Sequence, residues 1–275
     1  MTVYPLIIRL GRFTLTGYGV MMMVGFLVAG WVYARELERR GTDTAIAWDT
    51  VVLGVVGGLA GSKLYFAISV GRLDALFTRG GLVWYGGLAG GTAAVLAYMW
   101  LKKLPLRVLI DAVSPSLAVG YLLGRVGCFL VNDDYGLLFW LPWAMAFPHG
   151  SPPSTAHNLS TQFHAAIPAG TPPDQVLAVH PTQLYEIALT FAVFCLLWRW
   201  RALRRAPGWL FGVYLVLSSA ERIIAEIFRA KDDRVLGGAT VAQLVSVVLI
   251  LLGLALMRRF GRPGPAGPVA VETGA

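Results

Sequence analysis

The chain has 275 residues, 56% of them hydrophobic and 14% charged, with a formal net charge of +8 and a mean hydropathy of +0.65. Soluble domains carry about 25% charged residues, so a water-facing enzyme is excluded; the apolar content excludes a disordered chain, and two cysteines exclude a disulfide scaffold. A polytopic membrane protein remains.

Crossing about 30 Å of hydrocarbon takes about 20 helical residues. In chain order, seven apolar segments meet that need, at about 13–34, 47–68, 82–101, 108–130, 182–198, 208–228 and 238–257. The expected fold is all-α, a single helical membrane domain over 1–260 with about seven transmembrane helices. Gly54, Gly57, Gly58 and Gly61 in the second segment, and Gly86, Gly87, Gly90 and Gly91 in the third, predict close helix contact, because small residues let backbones approach in lipid.

Short loops rich in Lys and Arg stay in the cytoplasm. Arg35, Arg39 and Arg40 follow the first segment, Lys102, Lys103 and Arg107 the third, Arg199, Arg201, Arg204 and Arg205 the fifth, and Arg258, Arg259 and Arg262 the seventh. The connection from Val126 to His180 has neither Lys nor Arg, which predicts an extracytoplasmic head over about 131–180, an outside N-terminus and a cytoplasmic C-terminus. Leu138 to Trp143 within it is apolar enough to lie on the membrane surface or to pack on the helices. The first segment is followed by charged residues and by no small-residue cleavage site, so it is expected to be a retained span. The Gly/Pro/Ala-rich tail Gly261–Ala275 is expected to be disordered. With most of the basic excess next to the membrane, anionic lipid headgroups are the expected partner and nucleic acid is not.

Charges inside hydrocarbon are costly and mark sites. Lys63 falls in the second segment, Arg125 in the fourth, and Glu221, Arg222, Glu226 and Arg229 in the sixth; Asn132, Asp133 and Asp134 follow Arg125 closely. Arg222, Glu226 and Arg229 share one helical face. Such arginines either pair with nearby carboxylates or snorkel to headgroups, or else use their planar forks on phosphate oxygens. Arg125, flanked by glycines, and Arg222 favour a lipid phosphate site.

His149, His157 and His164 sit in the Pro/Ser/Thr-rich stretch 148–173, read as a loop with surface histidines. His180 opens His180-Pro181-Thr182-Gln183-Leu184-Tyr185-Glu186, which is either a helix start or part of the active site. No zinc-like ligand spacing, phosphate loop or Gly-x-Ser-x-Gly elbow occurs, so no metal, nucleotide or serine nucleophile is expected. A transporter would use midplane charges and repeated interrupted spans; here the charges gather toward one face. Cys128, beside Gly127, reads as a small apolar filler.

In order along the chain, these pieces resemble the bacterial prolipoprotein diacylglyceryl transferases. The resemblance runs from about Tyr4 to Ile250: Leu10-Gly11-Arg12-Phe13 with Gly17-Tyr18-Gly19; Gly61-Ser62-Lys63-Leu64-Tyr65; Gly80 to Leu88; Asp111 with Ser114-Pro115; Gly124 to Phe129 for the family's Gly-Arg-x-Gly-Asn-Phe; His180 to Glu186; Arg222 to Arg229; and Gln243, Leu244 and Ser246. The resemblance implies an enzyme of the bacterial cytoplasmic membrane that moves the diacylglyceryl group of phosphatidylglycerol onto the lipobox cysteine thiol of prolipoprotein signal peptides, without a cofactor. It implies catalytic roles for Arg125, Arg222, Tyr85 and His180, and substrate contacts from Tyr18, Lys63, Asp133, Gln183, Tyr185, Glu226 and Arg229. A thiol needs a base or a nearby cation to ionise, and a departing phosphate needs fixed positive charge.

The chain departs from the family pattern at Tyr85, where His is common, at Cys128, where Asn is common, and at Asp133, where Glu is usual. A phenol with a pKa of about 10 is a poorer base than an imidazole near 6.5. Either His180 or Asp133 is the base, or an arginine activates Tyr85, or Tyr85 only donates a hydrogen bond to the lipid. The last is the expectation. The Tyr85 and Cys128 departures are the support for an alternative, a non-catalytic paralogue that binds lipid or prolipoprotein.

Overall fold

The computed structural model describes residues 1–10, 13–78, 81, 83–203, 205–230, 234–236 and 238–262. Gly11, Arg12, Gly80, Leu82, Arg204 and the tail beyond Arg262, all named above, lie outside the described residues.

β1 (Ile7–Leu10) pairs antiparallel with β2 (Phe13–Thr16), and then come α1 (Gly17–Arg39), α2 (Ala45–Val70), a 3-10 turn (Leu73–Phe77), α3 (Trp84–Leu101) and α4 (Leu106–Leu130). The connection to α6 (Thr182–Trp200) holds β3 (Met145–Ala146), α5 (Ala156–Gln162) and β4 (Ala178–Val179); α7 (Trp209–Phe228), the hairpin β5 (Arg234–Leu236) with β6 (Ala239–Thr240), and α8 (Val241–Arg259) complete the chain. The protein is mostly helical. Among the described residues α1, α2, α4 and α8 are long and apolar enough to cross a membrane by length and composition.

Local chemistry sets two differences from the sequence reading. α1 begins at Gly17, later than about 13, because Phe13–Thr16 is paired with Ile7–Leu10, and Thr16 Oγ1 accepts from Gly19 N at 3.1 Å. The stretch 148–173 is not wholly loop: Thr155 caps α5 by accepting from Asn158 N at 3.3 Å, so His157 lies on a helix. At the other end of the chain, Thr240 and Gln243 form a reciprocal capping box at the start of α8.

The chain divides into two compact units, with the divisions falling inside α1 and α4. In the unit of Gly30–Val113, Tyr33, Leu37, Ile46, Met99 and Leu109 form a buried core. Buried Glu36 pairs with Arg39 at 2.6 Å and Arg40 at 2.8 Å. Here α2 lies on α3 at near backbone contact: a Cβ on Gly57 would stand 2.6 Å from Ala94 Cβ and 2.8 Å from Gly90 O. Gly57, Gly61, Gly86, Gly87, Gly90 and Gly91 are required by this close approach, whereas a Cβ on Gly54 or Gly58 would make only ordinary contacts.

The other unit comprises Met1–Ala29 and Ser114–Pro265. Ala118, Val193, Leu197, Leu210 and Val213 pack α4, α6 and α7 together. The connection before α6 has its own core of Tyr135, Phe147, Leu159 and Val179, with the Tyr135 and Phe147 rings stacked at 5.4 Å. This folded connection carries the loop 131–136 back against the ends of α6 and α7.

Candidate active site

Arg125 lies near the end of α4, Glu186 on the second turn of α6, and Arg222 and Glu226 on α7, with Arg229 just past the end of α7. Immediately after α4 the backbone takes left-handed conformations at Asn132 and Asp134, both at φ 61°, which reverse the chain. Asn132 is fully buried and its Nδ2 donates to Val3 O at 2.9 Å, so a side chain that tolerates this conformation is also tied down. The first turn of α6 then clamps the loop: Thr182 Oγ1 donates to Asp134 O at 2.7 Å and Gln183 Nε2 to Asp133 O at 2.6 Å. Gly136 is required by close approach, because a Cβ there would stand 2.7 Å from both His180 Cβ and Thr182 Cγ2.

Three arginines and three carboxylates meet in this frame. Arg125 Nη1 donates to Asp134 Oδ2 at 2.7 Å, and its Nε lies 2.8 Å from Glu186 Oε2. Arg222 Nη1 donates to Glu186 Oε1 at 3.2 Å, and its Nη2 lies 2.5 Å from Glu226 Oε2. Arg229 Nη2 donates to Asp134 Oδ1 at 2.5 Å and its Nη1 to Glu186 Oε1 at 3.5 Å. The shared face read from the Arg222, Glu226, Arg229 spacing is present, and carboxylate pairing accounts for all three arginines. The side chains of Arg125, Arg222 and Arg229 are 12%, 21% and 8% exposed and that of Glu186 is fully buried. Arg222 is thus the most accessible fork of an otherwise enclosed cluster.

Outside the helices the electrostatics follow from these pairs. Burial pushes the Asp134 carboxyl up, but Arg229 and Arg125 outweigh it and hold the group below the usual aspartate value. For Asp133 the balance is reversed: burial, and then the charge of Asp134, outweigh the Asp134 backbone N–H and the two arginines and push it up. Its Oδ1 accepts from Asp134 N at 2.8 Å.

His180 joins the same frame through its backbone, with Gly136 N donating to His180 O at 2.8 Å. Its ring stacks on Phe139 at 3.7 Å, and Nδ1 stands 3.2 Å from the Tyr185 hydroxyl, which also accepts from Trp143 Nε1 at 3.0 Å. Burial lowers the His180 pKa. His180 is therefore both the lead into a helix and one wall of an aromatic cluster.

Tyr18 lies on α1 against α4, where a Cβ on Gly127 would stand 3.2 Å from Tyr18 Cα. Arg125 Nη1 reaches Cys128 Sγ at 3.9 Å, so Cys128 borders the cluster as well as filling space. Lys63 and Tyr85 belong to the unit of Gly30–Val113. There Lys63 Nζ donates to the Thr78 carbonyl, and the largely exposed Tyr85 ring meets Trp84 edge-on at 5.3 Å. Among the described residues no group of His, Cys, Asp and Glu is gathered as metal ligands would be.

Sequence reasoning did not single out Asp134 and Glu186, which between them hold two or three arginines each. A signal existed for Glu186, an acid inside an apolar segment with no basic residue one helical turn away, which in lipid requires a distant cation. For Asp134 no local signal separates it from Asp133; only the left-handed turn decides which carboxylate faces the arginines.

The family model for prolipoprotein diacylglyceryl transferase matches residues 5–259 of this chain. Similar proteins named phosphatidylglycerol–prolipoprotein diacylglyceryl transferase include one from Rhodospirillum rubrum, 29% identical over 98% of this chain and 96% of that protein. Another, from Nitrobacter winogradskyi, is 31% identical over 92% of this chain and 87% of its own length, and one from Corynebacterium efficiens is 28% identical over 96% and 83%. With a match over nearly its whole length and relatives aligned over most of theirs, this chain belongs to the prolipoprotein diacylglyceryl transferase family.

Proposed function

We propose that this transferase moves the diacylglyceryl group of phosphatidylglycerol onto the thiol of a prolipoprotein's lipobox cysteine, releasing glycerol phosphate and using no cofactor. The observation that carries the reading is the cluster of Arg125, Arg222 and Arg229, held by Asp134, Glu186 and Glu226. Buried carboxylates fix the guanidinium planes before substrate arrives, and each arginine has five N–H donors, more than its carboxylate partners occupy. Arg125 and Arg222 grip the lipid phosphate through two ground-state contacts that strengthen as charge builds on the leaving oxygen.

The remaining roles follow from this assignment. Arg229 and Glu226 keep the two forks in place, while Asp133 and Gln183 hold the loop that presents Asp134. His180 and Tyr185 wall the entry of the peptide, Tyr18 borders Arg125, and Lys63 and Tyr85 hydrogen-bond to lipid. In the membrane we place seven spanning helices, α1 to α4 and α6 to α8, as one domain over 1–260 in the bacterial cytoplasmic membrane. Its N-terminus and the 131–180 head are extracytoplasmic and its C-terminus is cytoplasmic, which the basic turns support.

The test is direct transfer, with purified protein, phosphatidylglycerol and a lipobox peptide, read by mass spectrometry of the cysteine. A diacylglyceryl adduct that falls about 10²-fold or more in Arg125→Ala is the expected result. Full activity in that variant would overturn the phosphate assignment, and no adduct with the native chain, lipid and peptide still bound, would favour a non-catalytic paralogue.

A further inference from the structure

A pocket of about 140 Å³ opens between α4, α6 and α7, lined by Ala118, Tyr121, Thr190, Val193, Tyr214, Ser218, Glu221 and Arg222. Four of these are hydroxyl side chains and one is a carboxyl. Glu221 is 5% exposed; among the described residues no arginine stands within ion-pair distance of it, and its Oε1 has no hydrogen-bond partner. Thr190 Oγ1 is likewise buried without a partner. Buried polar groups are almost always satisfied, and this mostly apolar space has room for water beside Glu221 and Thr190. Water there would satisfy both side chains, and Glu221 is the pocket's carboxyl.

The pocket meets the arginine cluster at Tyr121. The Tyr121 hydroxyl accepts from Arg125 Nε at 3.0 Å, which leaves its own proton free to be donated into the pocket. Asp134, Glu186 and Glu226 are each committed to arginines, and protonating any of them would break an ion pair that holds the site. Glu221 can take a proton without that loss. The charged and titratable groups around it are Tyr121 and Arg125 on α4, Glu186 on α6, Tyr214 and Arg222 on α7, and Arg229 beyond it.

We infer that Glu221, through the pocket and the Tyr121 hydroxyl, is the acceptor of the proton released by the substrate thiol. The inference rests on the transferase reading above. As the sulfur attacks the glycerol carbon, a C–S bond forms and the C–O bond to phosphate breaks, its electron pair leaving with the phosphate oxygen. The thiol proton passes to the Tyr121 oxygen while the Tyr121 proton passes to pocket water and on to the Glu221 carboxylate. It returns to solvent before the next turnover.

The experiment compares the native chain with Glu221→Gln and Tyr121→Phe in the transfer assay, using a lipobox peptide and the same peptide with selenocysteine, whose selenol is ionised at neutral pH and needs no base. Phosphatidylglycerol binding and melting temperature in detergent are measured alongside. The expected result is a loss of about 100-fold with the cysteine peptide in both variants, with lipid binding kept. Most of the rate returns with the selenocysteine peptide, or with the cysteine peptide as pH is raised. Unchanged rates on the cysteine peptide, or equal losses on both peptides, would overturn the role of Glu221. Absence of transfer by the native chain on either peptide would instead overturn the transferase reading.

Discussion

Arg229 Nη2 meets Asp134 Oδ1 at 2.5 Å, tying the end of α7 to the loop that follows α4. Because Asp134 also accepts from Arg125 at 2.7 Å, one carboxylate fixes the relative positions of two guanidinium groups from different helices. Glu186 does the same from α6, with Arg125, Arg222 and Arg229 all within 3.5 Å of its oxygens.

Glu186→Gln removes the charge at the centre of this arrangement while keeping its volume. Breaking a buried pair by removing one partner costs about 3–5 kcal/mol, and three arginines lose compensation here. A marked fall in melting temperature in detergent is expected; an unchanged one would show that Asp134 and Glu226 suffice.

His180 gives a pH signature. Burial lowers its pKa from the ordinary 6.5, so the folded state binds fewer protons than the unfolded one between the two values. Its contribution to stability is complete above about 6.5 and is lost as pH falls through the lowered value. The melting-temperature difference between the native chain and His180→Gln should be flat above pH 6.5 and shift against the native chain on acidification below it. A difference independent of pH would sink the prediction.

Tyr85→Phe deletes one hydroxyl from a largely exposed ring. A hydrogen bond to lipid is worth about 1 kcal/mol, so transfer should fall about fivefold and no further. Abolition of transfer would make the phenol the base and remove the need for Glu221.

Two neighbouring glycines of α2 should respond differently to the same added methyl. At Gly57 the new Cβ would stand 2.6 Å from Ala94 Cβ, and at Gly58 the nearest atom is Gly87 O at 3.5 Å. Overpacking costs about 1–3 kcal/mol, so Gly57→Ala should lower the melting temperature clearly while Gly58→Ala leaves it nearly unchanged. Equal effects would show that the α2 and α3 backbones separate freely.

Much of the fold was legible because hydrocarbon imposes length and composition on a helix. The apolar segments and the observed helices agree to within a few residues, except where Phe13–Thr16 joins a hairpin and Thr155 caps α5, since both depend on pairing or capping partners that periodicity does not register. The arginines of the site were legible for the same reason: a charge inside an apolar segment stands out against its surroundings.

The sequence by itself determined the membrane class, the glycine contact of α2 with α3, the family, and Arg125, Arg222 and Arg229 as the charges needing explanation. Only the tertiary structure decided that Asp134 and Glu186 answer them beside Glu226, because those two reach the arginines from separate stretches of chain. Only it separated Glu221, which among the described residues has no arginine within ion-pair distance, from its three paired neighbours. Pairing depends on distances of a few ångströms across helices, and residue spacing along one helix carries no information about what the next helix presents.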